Sequence, residues 1–474
     1  MQPYYTPQIA QPPRRKGRTG LVVGITAAVL VALVAGVAGG YFLFKAHPNA
    51  LNRVLNNNGA HTLPGQVPAV TQHAHDTGAL DPNMSLSLSI SLPLRNQANL
   101  RGFLTQVNNP ESPFYQQYLT PEQFKAKYSP SDATIASVKD YLNQTGLTVT
   151  GTSGANQFVN VKGKVSAIQS TFGVQLRTYT LNGQSYYGPA NNPKVGNAFI
   201  QNISGLDNFS TYRHSAVQFT PHATGGFTPA QLQKAYGADG LISKGIDGSG
   251  QNIAFLELSD FNDSDVQTYQ QQNNVSGGTF ERVVVDGGAK LDSQGSVEVE
   301  LDMEVAFGMA PKVHQYVYEG PNSGQGINDI YSQIVNDNKA KIVSISWGLC
   351  EQSTGSAELQ ALSTIFQQGA AQGITFYAAA GDAGAYDCGD TSLGVDSPAD
   401  DPNVTGVGGT ALTTSADGTY GSEQAWSCST GKCTQSAPQG EGGGGGVSAN
   451  FPVPSFQSSL QPAGAQGQGR YVPD

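Results

Sequence analysis

Residues 297–305 read Val-Glu-Val-Glu-Leu-Asp-Met-Glu-Val, which puts four carboxylates into one short segment of a chain in which only 13% of residues are charged. The apolar residues alternate strictly with the acidic ones, and this period of two is typical of a half-buried strand. The segment is also rich in Glu, Leu and Met, and Pro311 follows shortly after it, where a helix would end. The alternation therefore leaves strand and helix open, and composition and the flanking proline favour the helix.

A helix and a strand predict different chemistry for these acids. In a helix, Glu298 and Asp302 lie four residues apart on one face, close enough to share a proton, whereas Glu300 and Glu304 lie on another face. Coupled carboxyls titrate at different pH values, and one of them keeps its proton above the ordinary range. In a strand, all four acids would share one solvated face. The helix therefore predicts an acid-base pair.

Further motifs surround the acidic segment in a fixed order. Residues 343–348 read Val-Ser-Ile-Ser-Trp-Gly, residues 379–384 read Ala-Ala-Gly-Asp-Ala-Gly, and residues 407–410 read Val-Gly-Gly-Thr. Upstream, residues 228–237 read Thr-Pro-x-Gln-Leu-x-x-Ala-Tyr-Gly, and downstream, residues 443–457 open with four glycines. Each motif alone is weak, but the ordered set resembles the sedolisin family of serine-carboxyl peptidases, most of all its kumamolisin branch.

The resemblance implies a subtilisin-like α/β catalytic domain with a largely parallel sheet and a Ser-Glu-Asp triad that hydrolyses peptide bonds at acid pH. Carried over by position, Glu298 is the general base, Asp302 its partner and Asp382 the acid at the oxyanion position. A protonated Asp382 would donate a hydrogen bond to the developing oxyanion, which a carboxylate cannot do. Glu257 and Trp347 match the Glu and Trp that extend this network in the kumamolisin branch.

The family's nucleophile has no counterpart in this sequence. It lies in a Gly-Thr-Ser motif near the end of the catalytic domain, and the chain stops at Asp474, in a segment similar to the one before that motif. The Gly-Thr-Ser at 151–153 belongs to a different domain. Only His314 of the seven histidines lies beyond residue 227, so a Ser-His-Asp triad is hard to build there. We expect the nucleophile and the family's calcium site in a missing C-terminal part, and no metal site in this chain, which is then inactive as it stands.

Glycine and cysteine residues supply the remaining candidates. Gly443, Gly444 and Gly445 match the glycine-rich, substrate-binding segment of the family. Residues 428–433 form a short Cys-to-Cys turn that can close on itself, which pairs the other two cysteines with each other. Zinc is the alternative, but the spacing is not Cys-x-x-Cys and no histidine lies near. The four candidate disulfide residues are Cys350, Cys388, Cys428 and Cys433.

The N-terminus carries a membrane signal. Residues 20–44 form an uncharged apolar run, which at about 1.5 Å per residue spans a bilayer as a helix. Four basic residues between positions 14 and 18 precede it, so we expect residues 1–19 in the cytoplasm and everything beyond Lys45 outside the cell. A cleaved, unusually long signal peptide is the alternative, because small residues lie near the end of the run.

Composition and pattern divide the exported part into four segments. Residues 80–213 alternate strands with helices at 97–107, 132–144 and 165–172, the pattern of a small α+β domain. Its segment 112–124 resembles the activation propeptide of sedolisins, which implies an intramolecular inhibitor. The four segments are a linker at 45–79, the propeptide at 80–213, a processing linker at 214–226 and the peptidase domain at 227–474.

The overall composition argues against some classes of function and favours others. A net charge of −10 with no basic stripe outside the N-terminus argues against nucleic-acid binding. Few ionisable groups means few ion pairs to lose in acid, which suits an acidic habitat. We expect a membrane-anchored, externally facing precursor of a serine-type endopeptidase that acts on polypeptides and is released from the membrane after processing. A non-catalytic pseudopeptidase and a surface binding module are the alternatives.

Overall fold

The acidic segment folds as a helix, and its buried face explains why. The structure, a computed structural model, describes residues 60–181, 183–214, 226–388, 392–427, 442–460 and 468–474. In it, the helix Gly295–Met309 buries Val299, Met303 and Phe307 completely, and these residues are four positions apart. They pack in an apolar cluster together with Phe255 and Val317. Burial at helical spacing therefore outweighs the alternation with acids that is typical of a strand.

Residues 60–214 form the smaller part of the fold, which we call the propeptide part after the resemblance described above. Its four-stranded antiparallel sheet has the order β4-β5-β3-β9, a three-stranded sheet has the order β2-β6-β7, and β1 pairs with β8. The strands are β1 His61–Thr62, β2 His75–Ala79, β3 Ser85–Ser91, β4 Thr148–Thr152, β5 Phe158–Lys164, β6 Leu176–Leu181, β7 Gln184–Pro189, β8 Lys194–Val195, β9 Asn202–Ser204 and β10 Arg213–His214. The helices are α1 Gln97–Val107, α2 Pro121–Tyr128, α3 Asp132–Gln144 and α4 Val165–Phe172.

The described residues from 226 to 474 form the larger part of the fold, which we call the catalytic part after the same resemblance. It contains twelve strands in its described residues, and six of them form a sheet of order β12-β13-β11-β14-β16-β18 in which every neighbouring pair is parallel. Its strands are β11 Asn252–Glu257, β12 Thr279–Val284, β13 His314–Glu319, β14 Ile342–Ile345, β15 Trp347–Cys350, β16 Thr375–Ala379, β17 Asp396–Ser397, β18 Val404–Val407, β19 Thr410–Thr414, β20 Tyr420–Ala425, β21 Gly446–Pro452 and β22 Gly469–Val472. Its helices are α5 Pro229–Ala235, α6 Asp239–Ile242, α7 Asp263–Gln272, α8 Gly295–Met309, α9 Gly324–Asp337, α10 Glu351–Thr354 and α11 Ser356–Ala371.

The two parts share apolar and polar contacts. Phe158 and Tyr212 of the propeptide part belong to the large apolar cluster of the catalytic sheet. Asn202 donates its side-chain amide to Glu358 Oε2 on α11 at 2.6 Å. Because burying a carboxyl without partners is costly, this hydrogen bond offsets part of the cost of removing the Glu358 carboxyl from water in the interface. The propeptide part is thus packed on the catalytic part.

Several predictions from the sequence can be compared with the described residues. The helices predicted at 97–107, 132–144 and 165–172 are present with those bounds. The predicted linker at 45–79 is wrong at its C-terminal end, because β1 and β2 lie within it and pair with β8 and β6. The predicted membrane span at 20–44 lies outside the described residues. Among the residues that the structure does describe, no helix is both long and apolar enough to cross a membrane.

Candidate active site

The candidate residues converge at the carboxyl ends of the parallel strands. Glu257 is the last residue of β11, Ser346 and Trp347 follow β14, and Asp382 lies just beyond β16. In an open parallel sheet the strand ends form a crevice at one edge, which is the usual place for a site. Helix α8 adds its first turns to this group through Glu298. Four separate sequence motifs therefore contribute to one site.

Glu298 and Asp302 form a carboxyl pair on α8, in which Glu298 is buried and Asp302 is half-buried. Glu298 is only 6% exposed, and burial together with the charges of Asp302 and Asp382 raises its pKa to about 8. Burial raises the pKa of Asp302 to about 6, against the effect of a hydrogen bond from Ser346. The Ser346 hydroxyl lies 2.8 and 2.7 Å from the two Asp302 oxygens. The pair therefore holds a proton well above the ordinary carboxyl range.

A second buried acid extends this pair. The Trp347 indole donates a hydrogen bond to Glu257 Oε2 at 2.8 Å, and Glu257 is fully buried. Burial raises the pKa of Glu257 well above its usual range, and the charge of Asp302 adds to the rise. The indole bond acts in the opposite direction, because it stabilises the ionised form. Glu257 and Asp302 thus form one electrostatic unit.

Backbone contacts fix the loop that carries Asp382. Gly381 has φ +102°, a left-handed conformation that favours glycine, and an added Cβ would lie 2.5 Å from the Asp387 carboxyl. Asp387 Oδ1 accepts the Ala383 amide at 2.9 Å. From the other side, Gly444 donates its amide to the Gly381 carbonyl at 2.7 Å. An added Cβ on Gly444 would lie 2.1 Å from the Ala380 carbonyl oxygen, so only glycine fits.

A cavity of about 210 Å³ opens beside Asp382, and the end of the propeptide part lines it. Arg213 and His214 form β10, which pairs antiparallel with β15 next to the site. Asp396 also lines this cavity, and burial with the charges of Asp387 and Asp382 raises its pKa to about 8, while Arg213 acts to lower it. The cavity is therefore acidic and receives a basic residue from the propeptide part.

The remaining predicted residues have different positions. The Cys350–Cys388 disulfide is present, with Cα atoms 4.9 Å apart, and both cysteines line the cavity. Cys428 and Cys433 lie outside the described residues. The described lining of the cavity does not include Gly443, Gly444 or Gly445. Gly444 and Gly445 donate their amides to the Gly381 and Gly384 carbonyls on either side of Asp382, and Gly443 donates to the Trp426 carbonyl. Their expected role in substrate binding stays a prediction.

Three residues of this site are not predicted from the sequence as site residues. Ser346 was noted only as part of a motif, although its bond to Asp302 could be suspected from its position next to Trp347. Asp387 and Asp396 follow the Ala-Ala-Gly-Asp motif at a short distance, but the residues alone gave no signal that they face Asp382. Among the described residues, no group of three or more His, Cys, Asp or Glu side chains is arranged to hold a metal ion.

The carboxyl pair on α8 predicts that the chain is more stable in acid. The pKa of Glu298 rises from 4.5 to about 8 on folding, so its stabilising effect is complete below about pH 4.5 and is lost as pH rises through about 8. We expect the free energy of unfolding to fall by on the order of a few kcal/mol over this range. Urea unfolding at successive pH values measures it. Glu298→Gln should flatten the curve, and Glu281→Gln, at an exposed carboxyl paired with Lys339, should not; parallel curves for parent and Glu298→Gln would contradict the argument.

Comparisons with known proteins identify the family of this chain. The family described as "Pro-kumamolisin, activation domain" matches residues 72–209, and the one described as "Subtilase family" matches residues 286–445. Kumamolisin of Bacillus sp. (strain MN-32) is 31% identical over 438 residues, which cover 87% of this chain and 77% of kumamolisin. Sedolisin of Pseudomonas sp. (strain 101) is 27% identical over 476 residues, covering 94% and 78%.

Among solved structures, Pseudomonas sedolisin, a serine-carboxyl proteinase complexed with two molecules of pseudo-iodotyrostatin, is similar with 29% identity and a TM-score of 0.46. The match covers 52% of this chain and 69% of that chain. The identity and coverage of the kumamolisin match, together with the activation-domain match, establish the relationship. The chain belongs to the sedolisin family of serine-carboxyl peptidases and carries the family's activation propeptide.

Proposed function

We propose that this chain is the precursor of an acid-active endopeptidase in which Glu298 is the general base, Asp302 its partner and Asp382 the oxyanion acid. The observation that carries the proposal is the carboxyl pair on α8. The charges of both Asp302 and Asp382 add to the effect of burial in raising the pKa of Glu298. A buried carboxyl beside a second carboxyl on the same helix is costly unless the two share a proton. This arrangement supports a catalytic role over a structural one.

The chemistry follows from these positions. A serine hydroxyl placed beside Glu298 would lose its proton to the ionised form of this carboxyl as it attacks the peptide carbonyl. The raised pKa of Glu298 makes the ionised form a strong proton acceptor, although only a fraction of the molecules hold that form in acid. The received proton is then shared with Asp302, whose other partner is the Ser346 hydroxyl. Asp382, when protonated, donates a hydrogen bond to the oxyanion. Loss of this proton removes the donor, so activity at acid pH follows.

The attacking serine is proposed to lie beyond Asp474, in the Gly-Thr-Ser segment of the family. We call the chain continued through such a segment the extended form. Calcium is proposed to bind there as well. The test is hydrolysis of an unfolded polypeptide by the extended form at about pH 4 and about pH 7. Hydrolysis only in acid supports the proposal, and equal rates at both pH values contradict it.

The propeptide part is proposed to inhibit the site through its C-terminal end. Arg213 lies opposite Gly348 and His214 opposite Trp347 in an antiparallel pairing, as a bound peptide substrate would add a strand. The His214 ring also packs edge-on against the Trp347 indole, with centroids 5.2 Å apart. A segment held in this way blocks the access of other polypeptides until the chain is cut beyond it.

We further propose that residues 20–44 anchor the precursor in a membrane with the peptidase part outside. The support is the basic cluster before an uncharged apolar run. Protease added to intact cells should therefore digest the chain beyond Lys45 and spare an epitope tag placed at Met1, whereas lysed cells should lose the tag as well. Immunoblotting measures both. Protection of the peptidase part in intact cells would contradict this orientation.

A further inference from the structure

The buried acids of the site continue beyond Glu257 to Glu319. The two residues occupy directly paired positions on β11 and β13. Paired residues of adjacent parallel strands project from the same face, about 5 Å apart. Both side chains are buried, with Glu257 0% and Glu319 4% exposed. Glu257 Oε1 and Glu319 Oε2 each have no hydrogen-bond partner within the described part of the chain. Two under-solvated carboxyls therefore face each other across the sheet.

The other side of Glu319 faces charged groups close to the surface. Nη1 of Arg282, on β12, lies 3.9 Å from Glu319 Oε2. The same guanidinium binds Asp260 and Asp263, which lie in the segment after β11, and its side chain is 27% exposed. Arg282 from β12, Asp260 and Asp263 from that segment, and Glu257 from β11 are thus the charged groups around Glu319. Glu319 lies between a partly exposed ion-pair cluster and the buried acids of the site.

We propose that Glu319 is a positioning residue that controls the protonation of Glu257 and, through Glu257, the state of the Glu298–Asp302 pair. The inference rests on the proposed function for its catalytic consequence, whereas the coupling between Glu319 and Glu257 stands on the sheet register alone. Nothing in the sequence signals it, because Glu319 belongs to none of the motifs and reaches Glu257 only when two strands pair.

The direction of the effect follows from the charges. An ionised Glu319 repels a second negative charge on Glu257, so Glu257 keeps its proton to higher pH. Arg282 favours ionised Glu319, although burial still raises the pKa of Glu319 to about 7. On Glu257, the charges of Asp302, Glu298 and Glu319 all act in the same direction as burial. Removing the charge of Glu319 therefore favours the loss of the proton from Glu257.

The fluorescence of Trp347 measures this coupling without any catalysis, because its indole binds Glu257 directly at 2.8 Å. The chain has two tryptophans, so Trp426→Phe leaves Trp347 as the single reporter. His214→Phe keeps an aromatic ring against the indole and removes the imidazole from its surroundings. In this background of the 474-residue chain, Glu319→Gln should lower the midpoint of the fluorescence titration by about one pH unit or more.

Three further variants make the test specific. Glu319→Met also removes the charge and should give the same downward shift, so it serves where Glu319→Gln does not fold. Glu319→Asp keeps the charge and should stay close to the parent. Glu281→Gln makes the same chemical change at the exposed carboxyl that binds Lys339, and it should leave the midpoint unchanged. Circular dichroism confirms that each variant is folded.

The outcomes separate this inference from the proposed function. An unchanged midpoint in a folded Glu319→Gln or Glu319→Met variant overturns the coupling, whatever the extended form hydrolyses. An equal shift in Glu319→Asp also overturns it, because packing rather than charge would then be responsible. A downward shift confined to the two neutral variants supports the coupling, even where Glu298→Gln leaves hydrolysis intact and the proposed function fails.

Discussion

Glu298→Gln and Asp302→Asn are each expected to lower kcat/KM of the extended form by roughly 10³-fold, since general base catalysis contributes factors of this size. The amides keep the shape of the carboxyls but cannot take up a proton from the nucleophile. Glu298 is buried and Asp302 is half-buried in the first half of α8, so water compensates poorly for the loss of either carboxylate. Hydrolysis of an unfolded polypeptide in acid gives the rates, and urea unfolding shows whether each variant keeps its fold.

The same helix supplies the control. Glu300 accepts the Asn262 amide at 3.2 Å on the face turned to α7, and burial raises the pKa of Glu304 to about 7. Neither side chain reaches Asp382, so Glu300→Gln and Glu304→Gln should retain most of the activity. Equal losses at all four acids would mean that the negative charge of the segment matters and not the pairing, and the assigned roles would then fail.

Asp382 calls for two variants, because its proposed role is that of a hydrogen-bond donor. Asp382→Ala removes the donor and should cost roughly 10²- to 10³-fold in kcat, as the loss of an oxyanion donor does elsewhere. Asp382→Asn keeps an N–H donor that needs no proton from the solvent. It should therefore lose less, and its activity should extend to higher pH than that of the parent. Identical pH profiles for parent and Asp382→Asn would contradict the oxyanion role.

The helix α8 illustrates what the sequence could predict. The alternation of acids and apolar residues in 297–305 is typical of a strand, and only the composition and Pro311 favoured the helix. The buried positions Val299, Met303 and Phe307 show the deciding factor, which is packing against strands β11 and β13 and helix α7. The segment fits both the alternation of a strand and the spacing of a helix, and burial against neighbouring elements decides that it folds as a helix. Glu298 and Asp302 were predicted together because they are close in sequence.

Residues brought together by non-local register were beyond sequence reasoning. Ser346 reaches Asp302 only because β14 lies next to β11 in the sheet and ends where α8 begins. Glu319 meets Glu257 only through the pairing of β11 with β13. No spacing along the chain encodes these contacts, since their partners are tens of residues apart. The motifs identified the residues at strand ends, and the sheet order determined which of them touch.

Acidification of the extended precursor is expected to produce self-cleavage at residues 214–226, with complete loss of the intact precursor band. The segment contains two glycines and a proline among polar residues, the composition of an accessible linker. Immediately before it, Arg213 and His214 pair with β15 and line the cavity beside Asp382. Sequencing the new N-termini after incubation at about pH 4 locates the cut.

The 474-residue chain is the control for this experiment, and it should remain intact in acid. It has the proposed base and the proposed oxyanion acid. The Ser346 hydroxyl lies in the same carboxyl network, but it donates to the Asp302 oxygens at 2.8 and 2.7 Å and is therefore not positioned as a nucleophile. Cleavage of this chain as fast as the extended form would show that a residue within it is the nucleophile. Ser346→Ala would then decide the matter, since loss of that cleavage would assign the attack to Ser346. Cleavage of neither form, with both folded, would instead favour a pseudopeptidase that keeps the fold and its propeptide without hydrolysis.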